Sequence, residues 1–168
     1  MASRVNWDNK TKYNTFLQEA QNYKAWLAKA DSLARAADKT NWLLEENTGL
    51  ASTHNMLVGM AIECLLKAAL IIKGIDVVET KSGNLYFAKD FKSHKLNQLA
   101  GKLEQFGFSL SEDELLLLEK LAIYIEWGAR YPVPLAHTGM EPLGTSDTEQ
   151  KMAFTIYKKL WNYIGTYS

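Results

Sequence analysis

Cysteine, net charge and long apolar runs are all scarce in this chain of 168 residues. A single cysteine, Cys64, can form neither an intrachain disulfide nor a cysteine-based metal cluster, so a reducing cytoplasm is the expected location. Lys+Arg and Asp+Glu each number 19, which gives zero net charge. The strongly basic field of tight nucleic-acid binding is therefore absent, although a local basic patch stays open.

The chain also lacks an uninterrupted apolar run long enough for a membrane span. Its most apolar stretch, Met56 to Ile72, is short for that purpose and carries Glu63 and Lys67 in its middle. Met1 to Asp8 do not contain the apolar core of a signal peptide. We therefore predict a buried helix of a soluble protein, with no membrane association.

Helical spacing of apolar residues dominates the rest of the sequence. Trp26, Ala30, Leu33 and Ala37 share one helical face, for example. The predicted helices cover residues 11–45, with a break near Asp38 to Asn41 left open, 52–73, 95–105, 111 to about 130, and 146–165. We expect an all-α, up-and-down bundle of about five helices in a single domain, 1–168, with its core at about 20–165.

Capping residues and glycines set the expected ends of these helices. Ser111 with Glu114, and Ser146 with Glu149, have the spacing of capping boxes. Ser52 or Thr53 is the expected cap of the second helix, and Gly74 supplies its left-handed end. Residues 75–92 do not fit a helix. They predict a loop or a small hairpin that turns at Ser82–Asn84.

Glu63 and Lys67 are the first candidate functional pair. They lie one helical turn apart, in the favourable order, inside an otherwise apolar helix. Burial of either charge alone is costly, so they should pair or face a polar groove. A structural pair and the lining of a site or dimer interface are both consistent with this spacing, and the structural pair is the commoner outcome.

Arg130 and His137 are the second candidate pair. Glu126 lies one turn before Arg130 and is placed to hold its guanidinium, while His137 follows in a loop with Pro132 and Pro134. A histidine transfers protons near neutral pH, and an arginine stabilises phosphoryl charge. With the 2′-hydroxyl of RNA as nucleophile, such a pair needs no metal.

The remaining candidates favour structural roles. His94 begins the third helix and is expected to anchor the preceding loop, and His54 is expected at the surface or at a helix start. Trp127 and Tyr131 flank Arg130, either as a stacking surface for a base or as ordinary packing. The three separated histidines do not form a metal site, and we predict no cofactor.

Three stretches together resemble the HEPN superfamily of small helical bundles. They are Gly59 to Lys67, similar to the acidic-then-Leu-Lys helix of the family, His94 to Leu99, similar to its His-Leu-x-x-Leu segment, and Arg130 with His137, which fits an Arg-x(4–6)-His pattern at its longest spacing. The resemblance extends over about residues 53–160. It implies a homodimer and settings that include prokaryotic toxin–antitoxin and defence systems.

The resemblance leaves two functions open. In a ribonuclease, Arg130 would stabilise the phosphate, His137 would be the general acid or base, and Glu63 would orient one of them. In a non-catalytic module, the same bundle would dimerise or bind a ligand or partner protein. Tyr131 and Pro132 depart from the ribonuclease pattern and favour the second function. The implied partners are an RNA or nucleotide ligand, an antitoxin and a nucleotidyltransferase. The expected dimer interface is on the second or fourth predicted helix.

Overall fold

The computed structural model of the chain describes residues 8–42, 50–128 and 144–167, and it confirms an all-α bundle. Its α-helices are α1 (Asn9–Gln21), α2 (Tyr23–Trp42), α3 (Ala51–Ile72), α4 (Lys89–Lys92), α5 (Leu96–Glu104), α6 (Glu112–Ile123) and α7 (Asp147–Gly165). A π-helix, Tyr124–Gly128, continues α6. The strands β1 (Val78–Lys81) and β2 (Asn84–Phe87) form an antiparallel hairpin.

Helix α3 lies at the centre of the bundle. It packs against α2, α5, α6, the π-helix and α7. Ile62, Leu65, Leu66 and Leu70 of α3 are fully buried among them. This helix is long and apolar enough to cross a membrane by length and composition, but most of its apolar window is buried within the bundle. Contacts on nearly every side explain why its sequence is apolar almost all round.

Gly59 lets the π-helix approach α3 closely. A Cβ atom at this position would lie 3.1 Å from Cδ1 of Ile125 and 3.3 Å from the carbonyl oxygen of Leu121. The second neighbour is backbone and cannot rotate away. A glycine in the middle of a helix usually costs stability, and here it leaves the room that this contact requires.

Helices α6 and α7 begin with the two predicted capping boxes, and both are confirmed. The capping carboxylates also join the helices, because Lys159 donates to Glu114 at 2.6 Å and Lys120 donates to Glu149 at 2.7 Å. Burial alone would raise the pKa of Glu114, but the hydrogen bonds from Lys159 and from the Ser111 backbone lower it overall. Each carboxylate thus stabilises a helix start and an interhelical contact.

The predicted hairpin is also confirmed. Ser82 and Gly83 both have positive φ angles, 50° and 76°, as a two-residue hairpin turn requires. Phe87 of β2 packs against Phe16 of α1 and Trp26 of α2, with ring centroids 5.1 and 6.0 Å apart. The hairpin therefore rests on the first two helices and does not project freely.

Two helix boundaries differ from the prediction. The first predicted helix does not break near Asp38 to Asn41; it breaks at Asn22, which has extended ψ (93°) and whose side chain accepts from the Lys24 amide at 3.1 Å. This local hydrogen bond competes with the helix and starts α2. Ser52 and Thr53 do not cap α3, because it begins at Ala51 with Leu50 at the cap position and no capping side chain. The helical turn α4 was not predicted.

We predict that Gly59→Val lowers the free energy of unfolding by about 1–3 kcal/mol, because the added methyl groups overlap Ile125 and the Leu121 carbonyl. Urea unfolding measures the change. Gly101→Ala in α5 is the control: nothing lies within 4 Å of a Cβ there, so alanine should raise stability by up to about 1 kcal/mol. Equal effects of the two substitutions would contradict close packing at Gly59.

Candidate functional site

The predicted pairing of Glu63 with Lys67 is confirmed. The Lys67 ammonium donates to Oε1 of Glu63 at 2.5 Å, and the two side chains are only 6% and 9% exposed. They lie one turn apart on α3, so the helix itself sets their separation. Because both charges are removed from water together, each compensates the other for lost hydration.

His94 completes this cluster from a different part of the chain. It lies between α4 and α5, and its Nδ1 is 2.9 Å from Oε2 of Glu63. Leu96 and Leu99, the next apolar residues of α5, are fully buried and hold this segment against the bundle. The carboxylate of Glu63 therefore binds Lys67 through one oxygen and His94 through the other. Sequence analysis expected an anchoring role for His94, and the contact agrees with that role.

Trp26 of α2 covers the cluster from a third direction. Its ring centroid is 5.4 Å from the Lys67 Nζ, and its indole nitrogen donates to the Ala20 carbonyl at 3.0 Å. A cation over an indole face is attracted by the ring quadrupole. The helical spacing of Trp26 predicts a core position but not this contact with Lys67. No local signal links a tryptophan on one helix to a lysine on another.

Cys64 lies beside the cluster but does not supply a nucleophile. Burial, reinforced by the negative charge of Glu63, raises the pKa of the Cys64 thiol to about 11. The thiol is therefore protonated at neutral pH, and the thiolate that would react is not formed.

The Glu63–Lys67–His94 cluster has limited access to solvent. Its only substantially exposed member is His94, whose side chain is 42% exposed. A carboxylate behind an imidazole is an arrangement that can orient a general base. Here, however, the same carboxylate also neutralises a buried ammonium. The cluster therefore joins α2 and α3 to the segment before α5. A substrate could reach only the outer edge of the His94 ring.

Arg130, Tyr131 and His137 lie outside the described residues, so their predicted pairing is a hypothesis that the structure does not test. Glu126 is exposed on the π-helix, and Trp127 belongs to the same π-helix.

Asn55 of α3 joins a residue before this segment, Tyr124, to a residue after it, Thr145. Asn55 of α3 exchanges hydrogen bonds with Thr145 at 3.0 and 3.2 Å, and it also hydrogen bonds to the buried Tyr124. Burial raises the pKa of Tyr124, and the bond to Asn55 opposes that shift. One side chain thus joins the start of the π-helix to the residues before α7.

A second feature is a groove of about 770 Å³ between α2 and α7, which we call the α2–α7 groove. Val58 and Ala61 of α3 form its floor, and Phe154 and Tyr157 of α7 form an aromatic wall. His54 also lines it. The expectation of a surface position for His54 was wrong: it does lie near a helix start, but it is buried at 9% exposure because α2 packs over it.

Comparisons with known proteins do not assign a family or a function to this chain. No family model, no curated protein and no solved structure matches the chain. The function is therefore argued from the residues and their contacts.

We predict that Glu63→Leu lowers the free energy of unfolding by about 3–5 kcal/mol, because it leaves the buried Lys67 ammonium without its carboxylate. The double variant Glu63→Leu/Lys67→Met should recover most of this loss in urea unfolding.

Asp31 and Arg35 provide the matched control. They form an ion pair with the same spacing on an exposed part of α2. Asp31→Leu should cost less than about 1 kcal/mol. A Glu63→Leu variant that is as stable as the Asp31→Leu variant would show that the buried pair does not stabilise the fold.

Proposed function

We propose that this chain is a non-catalytic HEPN-like module that dimerises or binds a ligand or partner protein. Toxin–antitoxin and defence systems are the settings that the motif resemblance implies. The observation that supports this proposal most is the internal use of the motif residues. Glu63, Lys67 and His94 satisfy one another and join α3 to α5.

The chemistry of the cluster supports the same proposal. In the ribonuclease hypothesis, Glu63 would orient Arg130 or His137, but in the structure its carboxylate orients His94 and neutralises Lys67. Glu63 is almost fully buried, and both of its oxygens already accept hydrogen bonds. Glu63 is therefore already engaged with Lys67 and His94, although the ribonuclease hypothesis needs it to orient Arg130 or His137.

The α2–α7 groove supports the binding part of the proposal. It combines an apolar floor, an aromatic wall and polar side chains along its edges, as ligand sites in proteins commonly do. Its volume of about 770 Å³ lies within the range of small-molecule pockets.

One observation favours the ribonuclease alternative. The π-helix ends at Gly128, shortly before Arg130, and π-helical turns often accompany functional sites. In that alternative, Arg130 stabilises the phosphoryl charge and His137 transfers the proton while the 2′-hydroxyl attacks.

An RNA cleavage assay separates the two functions. A mixed RNA pool is incubated with purified protein in the presence of a chelator, and we expect no more cleavage than in a protein-free blank. Arg130→Ala and His137→Ala, purified in parallel, should match the unsubstituted protein, with pancreatic ribonuclease as the positive control. Cleavage that both folded variants lose would overturn the non-catalytic proposal.

We also predict a homodimer, with its interface on α6. The second predicted helix, α3, uses its apolar residues inside its own bundle, whereas Leu116 of α6 is a large exposed apolar residue. Leu116→Asp should shift the protein to a monomer in sedimentation equilibrium. Trp161→Asp on α7 is the control, because it charges another exposed apolar side chain.

A monomer at high concentration would contradict the dimer itself. Dissociation by Trp161→Asp instead of Leu116→Asp would contradict its assignment to α6.

A further inference from the structure

His54 is a buried side chain with one ring nitrogen committed to the fold. Its Nδ1 lies 2.9 Å from the carbonyl oxygen of Ala37 and 3.2 Å from Oγ1 of Thr40. The Thr40 hydroxyl donates to the same carbonyl at 2.7 Å, so its oxygen is left to accept. Both neighbours of Nδ1 are thus acceptors, and Nδ1 must carry the proton.

In the neutral imidazole, the other ring nitrogen then has a lone pair. Nε2 makes no hydrogen bond within the described residues, and no side-chain nitrogen there is sealed from solvent without a partner. His54 lines the α2–α7 groove. Because Nδ1 is directed at α2, Nε2 is the ring nitrogen that His54 can offer to a ligand in this groove.

The charged side chains that line the groove are three carboxylates and two cations, so one negative charge is in excess. Asp31 is paired with Arg35 at 2.9 Å. Asp147 and Lys151 lie one turn apart on α7, so their opposite charges balance. Asp38 is exposed, lines the groove and has no ion-pair partner among the described residues.

Asp38 and His54 belong to the same end of the groove. Ala37, the residue before Asp38, provides the carbonyl that holds His54. The carboxylate of Asp38 on α2 and the imidazole of His54 on α3 therefore line the same part of the groove. Together they favour a ligand with a positive charge and more than one N–H donor.

The opposite wall favours a flat ligand. Phe154 is 57% exposed, and Tyr157 follows it by about one turn on α7. The Lys158 ammonium lies 4.4 Å from the centroid of the Phe154 ring, so this ring already attracts one cation. Val58, Ala61 and Ala153 leave an apolar floor without long side chains. Aromatic faces attract both planar rings and cations, so this wall complements the acceptors on α2 and α3.

We propose that the α2–α7 groove binds a planar amidinium or guanidinium group attached to an apolar or aromatic body. Its N–H groups donate to Nε2 of His54 and to the Asp38 carboxylate, and its body lies against Phe154 and Tyr157. This inference rests on the proposed function, since it names the ligand chemistry of the binding module. The same group occurs on small molecules and on arginine side chains.

The test uses benzamidine as the probe, followed by amide shifts in ¹⁵N spectra of the full chain. Benzamidine should bind with shifts concentrated around Ala37, Asp38 and Val58, while benzoate, its anionic counterpart, should not bind. Asp38→Asn should weaken binding about tenfold, since it removes a charge-assisted hydrogen bond. Glu112→Gln is the control, because it removes an exposed carboxylate on α6 without changing affinity.

His54→Asn provides an independent variant. The asparagine amide can still donate to the Ala37 carbonyl, but the acceptor at Nε2 is lost. Binding should weaken while the free energy of unfolding stays close to that of the unsubstituted protein. If this variant does not fold, Asp38→Asn alone decides the outcome.

Equal binding of benzoate, or equal weakening by Asp38→Asn and Glu112→Gln, would overturn the inference. An arginine-containing helical peptide that binds more tightly than benzamidine, and that Asp38→Asn also weakens, would support the same chemistry and assign its source to a protein. These outcomes do not depend on the RNA cleavage assay. Failure of this site therefore remains distinct from failure of the non-catalytic proposal.

Discussion

The carboxylate of Glu63 accepts hydrogen bonds from two donors that come from different parts of the chain. Lys67 is supplied by the next turn of α3, and His94 is supplied by the segment before α5. A carboxylate and an ammonium removed from water lose several kcal/mol of hydration each, so neither is stable there alone. One side chain thus allows Lys67 to be buried within α3 and also binds the segment before α5.

The apolar residues around Glu63 determine how closely α3 packs against its neighbours. Small residues such as Gly59, Ala61 and Ala68 allow neighbouring helices to approach, and large residues such as Leu65 and Leu70 fill the space between them. Residues 61–70 of this helix are all buried and have no solvated face. Its polar side chains must then find partners inside the bundle, as Asn55 does with Thr145 and as Glu63 does with His94.

Sequence analysis predicted the features whose causes lie within a few residues. The capping boxes at Ser111 and Ser146, the turn at Ser82 and Gly83, and the pairing of Glu63 with Lys67 all depend on short-range geometry. The burial of His54 could not be predicted in this way, because it depends on a carbonyl of α2 across a helix–helix contact. The break at Asn22 had only a weak signal, since an asparagine is also tolerated within helices.

The two hypotheses about function converge on the first turns of α3. His54 lines the α2–α7 groove, and its neighbour Asn55 hydrogen bonds to Tyr124 and Thr145. These two residues lie before and after the segment that carries Arg130 and His137. Asp147, two residues after Thr145, also lines the groove. The groove and the contacts of Asn55 therefore share the first turns of α3, whereas the Glu63 cluster lies farther along α3 and contacts the segment before α5. The proposed binding function thus involves the first turns of α3, whereas the buried ion pair of Glu63 and Lys67 lies farther along the same helix.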